Sequence, residues 1–145
     1  MQKLLPPKLA LILIVLMTAL HFSSPLRDLR DRPVLAALIA VAGIALLLAG
    51  SSTFRRAGTN IKTFNEPDRL VTSGVFRWSR NPMYLGFTLL LTGIAVGFGT
   101  LSPIIGPVLF FFAAELWYIP FEEKKMEETF GEEYLAYKRR VRRWL

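Results

Sequence analysis

Residues 81–114 read NPMYLGFTLLLTGIAVGFGTLSPIIGPVLFFFAA, with no charged side chain among them. A half-buried helix or strand of a soluble protein shows polar positions at regular intervals, so an uncharged block of this length points to lipid. It is too long for one crossing, and Gly97-Phe98-Gly99-Thr100-Leu101-Ser102-Pro103 interrupts it with turn residues. The block is therefore expected to form two helices, about 83–98 and 102–120, joined by a tight turn into a helical hairpin over 83–120.

Toward the N-terminus, residues 33–50, PVLAALIAVAGIALLLAG, form a second uncharged block long enough to span a bilayer. Leu9 to Phe22 is shorter, and Lys3 and Lys8 give it the basic start of a signal peptide. No small-x-small cleavage pattern precedes Ser23 and the chain returns to the membrane at Pro33, so a retained first helix is favoured.

Toward the C-terminus, Met126, Phe130, Tyr134, Tyr137, Val141 and Trp144 recur at three- and four-residue steps in an otherwise charged tail. That spacing predicts an amphipathic helix over 121–145 lying on the membrane or on the loop, with Gly131 able to break it in two. Its acids come early and its bases late, as a helix dipole prefers. The expected fold is thus all-α and integral to the membrane, with four transmembrane helices, the last two a tight hairpin, and a C-terminal amphipathic helix. Residues 1–145 form one domain: two transmembrane helices within 1–50, a polar loop at 51–82, the hairpin and the tail.

Four spans put the N-terminus, the loop and the tail on one side. That side holds Lys3, Lys8, the loop's Arg55, Arg56, Lys62, Arg69, Arg77 and Arg80, and the basic tail, against Arg27, Arg30 and Arg32 on the other. The positive-inside bias assigns loop and tail to the cytoplasmic face of the cell membrane. The net charge of +7 fits juxtamembrane anchoring, and with basic residues flanking apolar blocks no nucleic-acid partner is expected. With no cysteine and only His21, neither a thiolate nucleophile nor a His-rich metal site is available.

Chemistry concentrates in residues 65–86, NEPDRLVTSGVFRWSRNPMYLG, a polar turn-rich loop running into the third span. Each part has a plain explanation: arginines as lipid anchors, Trp78, Tyr84, Trp117 and Tyr118 as an interfacial belt, Asn81-Pro82 as a helix start, Glu122 and Glu123 as the first turn of a surface helix. Glu115 resists such an account, because an ionisable residue inside an apolar helix is costly unless it faces protein, water or a cation. Together, the backbone donors, the Asn81 amide, the aromatic faces and Glu122 could hold a cationic or zwitterionic ligand.

The set Leu70-Val71-Thr72-Ser73-Gly74-Val75-Phe76-Arg77, Arg80-Asn81-Pro82-Met83-Tyr84-Leu85-Gly86, Glu122-Glu123 and Phe130-Gly131-Glu132-Glu133-Tyr134, with Tyr137 and Arg140-Val141, closely resembles the isoprenylcysteine carboxyl methyltransferase family and its phospholipid methyltransferase relatives, over roughly residues 60–145. The resemblance implies an integral-membrane methyltransferase using S-adenosyl-L-methionine, held by Asp68, Arg69, Leu70, Val71, Phe76, Asn81, Pro82, Met83, Tyr84 and Glu122. Aromatic faces such as Tyr84 and Phe76 suit a sulfonium, and Glu122 can pair with an ammonium or a ribose. Three positions depart from the family pattern: Asn81 stands for a common His, Phe76 for a frequent Tyr, and Tyr118 for the arginine that serves the substrate carboxylate in eukaryotic members.

Direct displacement by a lipophilic or lipid-linked acceptor entering from the bilayer needs positioning and desolvation more than acid–base groups. Glu115 or Glu123 is the candidate to orient that acceptor or take its proton. Two alternatives remain at this point: an NADPH-dependent membrane reductase of the related sterol reductase type, disfavoured by Pro82, and a non-enzymatic membrane protein. The sequence carries no motif that names the acceptor or the oligomeric state.

Overall fold

The computed structural model describes residues 4–24, 26, 32–58 and 69–145. It is helical, with no strand element among the described residues. Helix α1 covers Pro6–Ser23, α2 Pro33–Ala57 and α3 Pro82–Gly97. Each carries Pro in its first turn, where the missing N–H has no intrahelical partner to lose. A 3₁₀ turn at Gly74–Arg77 precedes α3 and another at Ser102–Ile104 follows it. Then come α4 (Ile105–Ala113), a π-helical turn at Ala114–Tyr118, α5 (Ile119–Phe130) and α6 (Glu132–Arg140).

Three stretches are long and apolar enough to cross a membrane: α1, α2 and the continuous helical run Ser102–Phe130, while α3 is a shorter apolar helix. Leu11, Val15, Val34, Leu38, Val41 and Leu48 turn outward and are more than half exposed, a surface that only lipid or another apolar partner would cover at low cost. The chain is a multi-pass membrane protein.

Helix α3 is the hub. Along α2 the two backbones nearly touch: a Cβ placed on Gly43 would sit 2.6 Å from the Gly86 carbonyl oxygen and 2.6 Å from the Leu90 nitrogen. Small residues are what allow such an approach in lipid, where dispersion contacts rather than water drive helix pairing. On its other side α3 supplies Leu91 and Ala95 to a core completed by Met17 of α1, Phe110 of α4 and Ala114, Tyr118 and Ile119 further on. Gly106 is packed against Met17, so it lets α1 seat on the last helical run. At the far end His21 Nδ1 lies 3.0 Å from Thr100 Oγ1, and the Ser102 hydroxyl bridges Ser24 O and Leu26 N–H, tying α1 to the turn after α3.

The expected boundary at 120/121 is not an interruption. Pro120 cannot donate to the carbonyl four residues back, and the chain absorbs this by widening one turn into the π segment Ala114–Tyr118 instead of stopping. The break comes at Gly131, with φ +50. Beyond it Tyr134 and Tyr137 of α6 are buried, and from Val141 the chain leaves the helix and folds back toward α3.

Candidate functional site

The site grows from the N-terminus of α3. Tyr84, one turn in, donates its hydroxyl to Glu122 Oε1 at 2.9 Å, joining two motifs that lie 38 positions apart. Its ring stacks on Tyr118, centroids 5.9 Å apart, so the residue at the family's arginine position supplies an aromatic face beside Tyr84. Pro82 is fully buried, Met83 lies against Gly50 of α2, and Val71 and Phe76 are buried in the preceding loop, Phe76 edge-on to Phe54. Leu70 is half-buried and Arg69 exposed. Asp68 lies outside the described residues.

Asn81 does structural duty as well. Its Nδ2 donates to the Arg143 carbonyl at 3.1 Å and its backbone N–H to Ser79 Oγ at 3.1 Å, while the Arg80 N–H donates to Arg142 O at 3.0 Å. The C-terminal segment is thereby clasped to the start of α3. On the other side of the loop, Tyr137 of α6 donates its hydroxyl to the Phe76 carbonyl at 2.7 Å.

Glu115 and Glu123 meet in a charge cluster that sequence reasoning did not foresee. Arg143 reaches both: Nη1 is 2.6 Å from Glu115 Oε1 and Nη2 2.8 Å from Glu123 Oε2. Trp144 Nε1 donates to the second oxygen of Glu115 at 2.8 Å. Glu123, nearly buried, also faces Lys138 at 3.7 Å and Arg80 at 3.0 Å. The Arg80 contact is an ion pair by distance but not a hydrogen bond by angle, and neither Nη1 nor Nε of this buried guanidinium has a hydrogen-bond acceptor among the described residues. Hydrogen bonding to Glu123 holds the Arg143 proton more tightly than usual. Burial, reinforced by Glu123, pushes the Tyr134 phenol up to about 12, and burial also raises Tyr137.

The π turn carries Glu115, and such turns recur at functional sites. The signal that could have found its partner was its own need for a cation: Arg143 lies beyond the break at Gly131 and past the end of α6, 28 positions along the chain.

A model of the phospholipid methyltransferase family matches residues 32–133. The chain is similar to protein-S-isoprenylcysteine O-methyltransferases: 37% identical over 119 residues to that of Saccharomyces cerevisiae, covering 72% of this chain and 47% of the yeast protein. The Rattus norvegicus protein is 32% identical over 118 residues, 71% of this chain and 39% of its own length. The Homo sapiens protein is 35% identical over 103 residues, 67% and 34% respectively. The chain thus spans about half or less of the length of these curated relatives. No solved structure matches. The matches give no support to the reductase alternative.

Proposed function

The chain belongs to the phospholipid methyltransferase family, and from that premise we propose that it is an integral-membrane methyltransferase acting on a small lipophilic or lipid-linked acceptor at the cytoplasmic membrane face. The observation that carries this reading is the Tyr84–Glu122 hydrogen bond, which joins the start of α3 to α5 at the place where the family motifs converge. S-adenosyl-L-methionine, when bound, supplies the electrophilic methyl group. The donor set fits it: the stacked Tyr84 and Tyr118 rings suit a soft cation, the Glu122 carboxylate an ammonium or ribose, and Asn81 retains its carbonyl oxygen and one N–H after binding the tail. Leu70, Val71, Phe76, Pro82 and Met83 would wall the site, with Arg69 at its rim.

We take α3 as the fourth crossing, so that the loop and α6 share a face with the N-terminus, and the surplus of basic residues there assigns that face to the cytoplasm. The acceptor would enter from the bilayer, and the apolar helices would keep water from the reacting atoms. Since Arg143 and Trp144 occupy Glu115, and three cations surround Glu123, we assign these carboxylates to positioning the wall of the site more than to proton transfer.

Calorimetric titration of the detergent-purified chain with S-adenosylhomocysteine and, separately, NADPH tests the reading. Binding of the homocysteine product, lost in Glu122→Ala, is expected. Binding of NADPH alone would move the chain to the reductase class, and binding of neither by folded protein would favour a non-enzymatic role.

A further inference from the structure

A cavity of about 350 Å³ opens beside the loop, lined by Thr72, Ser73, Arg77, Tyr137, Arg140 and Val141. None of these residues belongs to the methyl-donor set above. Two arginines and three hydroxyl-bearing residues line it, and no carboxylate does among the described residues. Among the described residues neither Arg77 nor Arg140 has an ion-pair partner, although the neighbouring Lys138 and Arg143 are both paired. Those neighbours engage Glu123 and Glu127 of α5, and the described lining of this cavity is left positive.

Its depth in the membrane follows from α2. About 20 residues of helix rise through roughly 30 Å, the thickness of the hydrocarbon core. Counted from Pro33, that distance ends near Ser52, so Thr53 and Phe54 stand at headgroup level. The loop rests on those two residues: Gly74 is against Thr53 and Phe76 is edge-on to Phe54. Ser73 and Arg77 flank this contact in the chain, and Trp78, 77% exposed, adds the aromatic ring typical of the interface.

We propose that this cavity is a binding site for the phosphodiester of an anionic membrane phospholipid, gripped by Arg77 and Arg140 and hydrogen-bonded by Thr72 and Ser73. Guanidinium forks match phosphate oxygens two at a time, and hydroxyl donors satisfy the remainder. The site joins two pieces of chain distant in sequence, the 72–77 loop and the end of α6, whose only other described tie here is the Tyr137 to Phe76 hydrogen bond. A headgroup held there would brace the loop that carries Phe76 and Asn81 against the tail. Because the headgroup is drawn from the surrounding leaflet, its occupancy would follow the membrane's anionic content.

The full chain is reconstituted in nanodiscs of equal parts phosphatidylglycerol and phosphatidylcholine, released, and its retained lipids are counted by native mass spectrometry. Wild type is expected to keep phosphatidylglycerol over phosphatidylcholine by about 30-fold, the effect of two basic residues at an anionic surface. The Arg77→Ala/Arg140→Ala variant should lose that preference. The Arg55→Ala/Arg56→Ala variant, which removes two exposed charges from the end of α2 outside the cavity, should keep it. Both pairs are exposed, so circular dichroism of each should match wild type. Equal loss in the two variants would reduce the effect to diffuse surface charge and overturn the site. A titration with inorganic phosphate, followed by Trp78 fluorescence, separates the sources: saturable phosphate binding without lipid preference would overturn the lipid as ligand.

Discussion

Replacing Glu123 by Gln removes a charge while keeping the shape of the side chain, and it decides whether the charge cluster is scaffold or machinery. In the structure the Glu123 side chain is 9% exposed and lies 3.0 Å from Arg80, 2.8 Å from Arg143 and 3.7 Å from Lys138. Lys138 keeps Glu127 in the variant, and Arg143 keeps Glu115. Arg80, also 9% exposed, keeps no carboxylate among the described residues. Breaking a buried pair from one side costs about 3–5 kcal/mol, because the surviving charge stays desolvated. For a chain of this size that is a fall in melting temperature of about 6–20 °C. The assay is thermal unfolding of the detergent-purified chain by circular dichroism, with S-adenosylhomocysteine affinity measured below the variant's melting point. A scaffold role predicts the lower melting point and a cold affinity within a few-fold of wild type. Arg80→Met combined with Glu123→Leu should recover part of the stability, since an apolar pair of similar volume often matches a buried ion pair. A Glu123→Gln protein that melts like wild type and loses turnover would refute the reasoning and return Glu123 to proton transfer.

Gly43→Ala drives a methyl into the α3 backbone, at 2.6 Å from Gly86 O, and should cost about 1–3 kcal/mol, read as a lower melting temperature. Gly97→Ala, whose added Cβ meets only Ala36 Cβ at 3.6 Å, should be close to neutral in the same scan. Tyr84→Phe removes the donor to Glu122, a charge-assisted bond worth about 1.5–3 kcal/mol, and should weaken S-adenosylhomocysteine binding by about tenfold or more in calorimetry. Unfolded tyrosine loses its proton near about 10, whereas Tyr134 in the fold is pushed up to about 12. The folded state therefore binds more protons in that interval, and its stability falls as pH rises through it. Tyr134→Phe should flatten that part of the fall when melting points at about pH 8 and about pH 11 are compared with wild type.

Apolar blocks, prolines at helix starts and the glycine-rich turn after α3 are written in residue types, and so α1, α2, α3 and the hairpin turn were legible from the sequence. The fate of residues 119–130 was not. The change from apolar to charged side chains at Glu122 resembled an element boundary, but the backbone hydrogen bonds of a helix are indifferent to what the side chains meet outside it. Pro120 stands at the end of the expected hairpin, and a single π turn absorbed it. In the site, the family motifs put Tyr84 and Glu122 in one expected ligand set without foreseeing the hydrogen bond between them, and the tail's part was not legible either, because its acceptors are the backbone carbonyls of Arg142 and Arg143, which any residue could supply. Glu115 announced a partner by its cost in an apolar helix without naming it.

Asn81 shows why the tail belongs to the site and not merely to its surroundings. An amide offers two N–H donors and a carbonyl acceptor, and one donor is taken by Arg143 O. The same Arg143 holds Glu115 and Glu123 through its side chain, so one residue fixes the start of α3 through its backbone and the π turn and α5 through its guanidinium. Tyr84 sits one turn after Asn81 on α3, and Glu122 is the neighbour of Glu123 on α5. The hydrogen bond between Tyr84 and Glu122 therefore spans two elements whose separation Arg143 also sets. A displaced tail would let α3 and α5 shift relative to each other, and a hydrogen bond of 2.9 Å tolerates only a few tenths of an ångström before it weakens. The geometry of the proposed donor site is thus a property of the folded-back C-terminus as much as of the motif residues that line it.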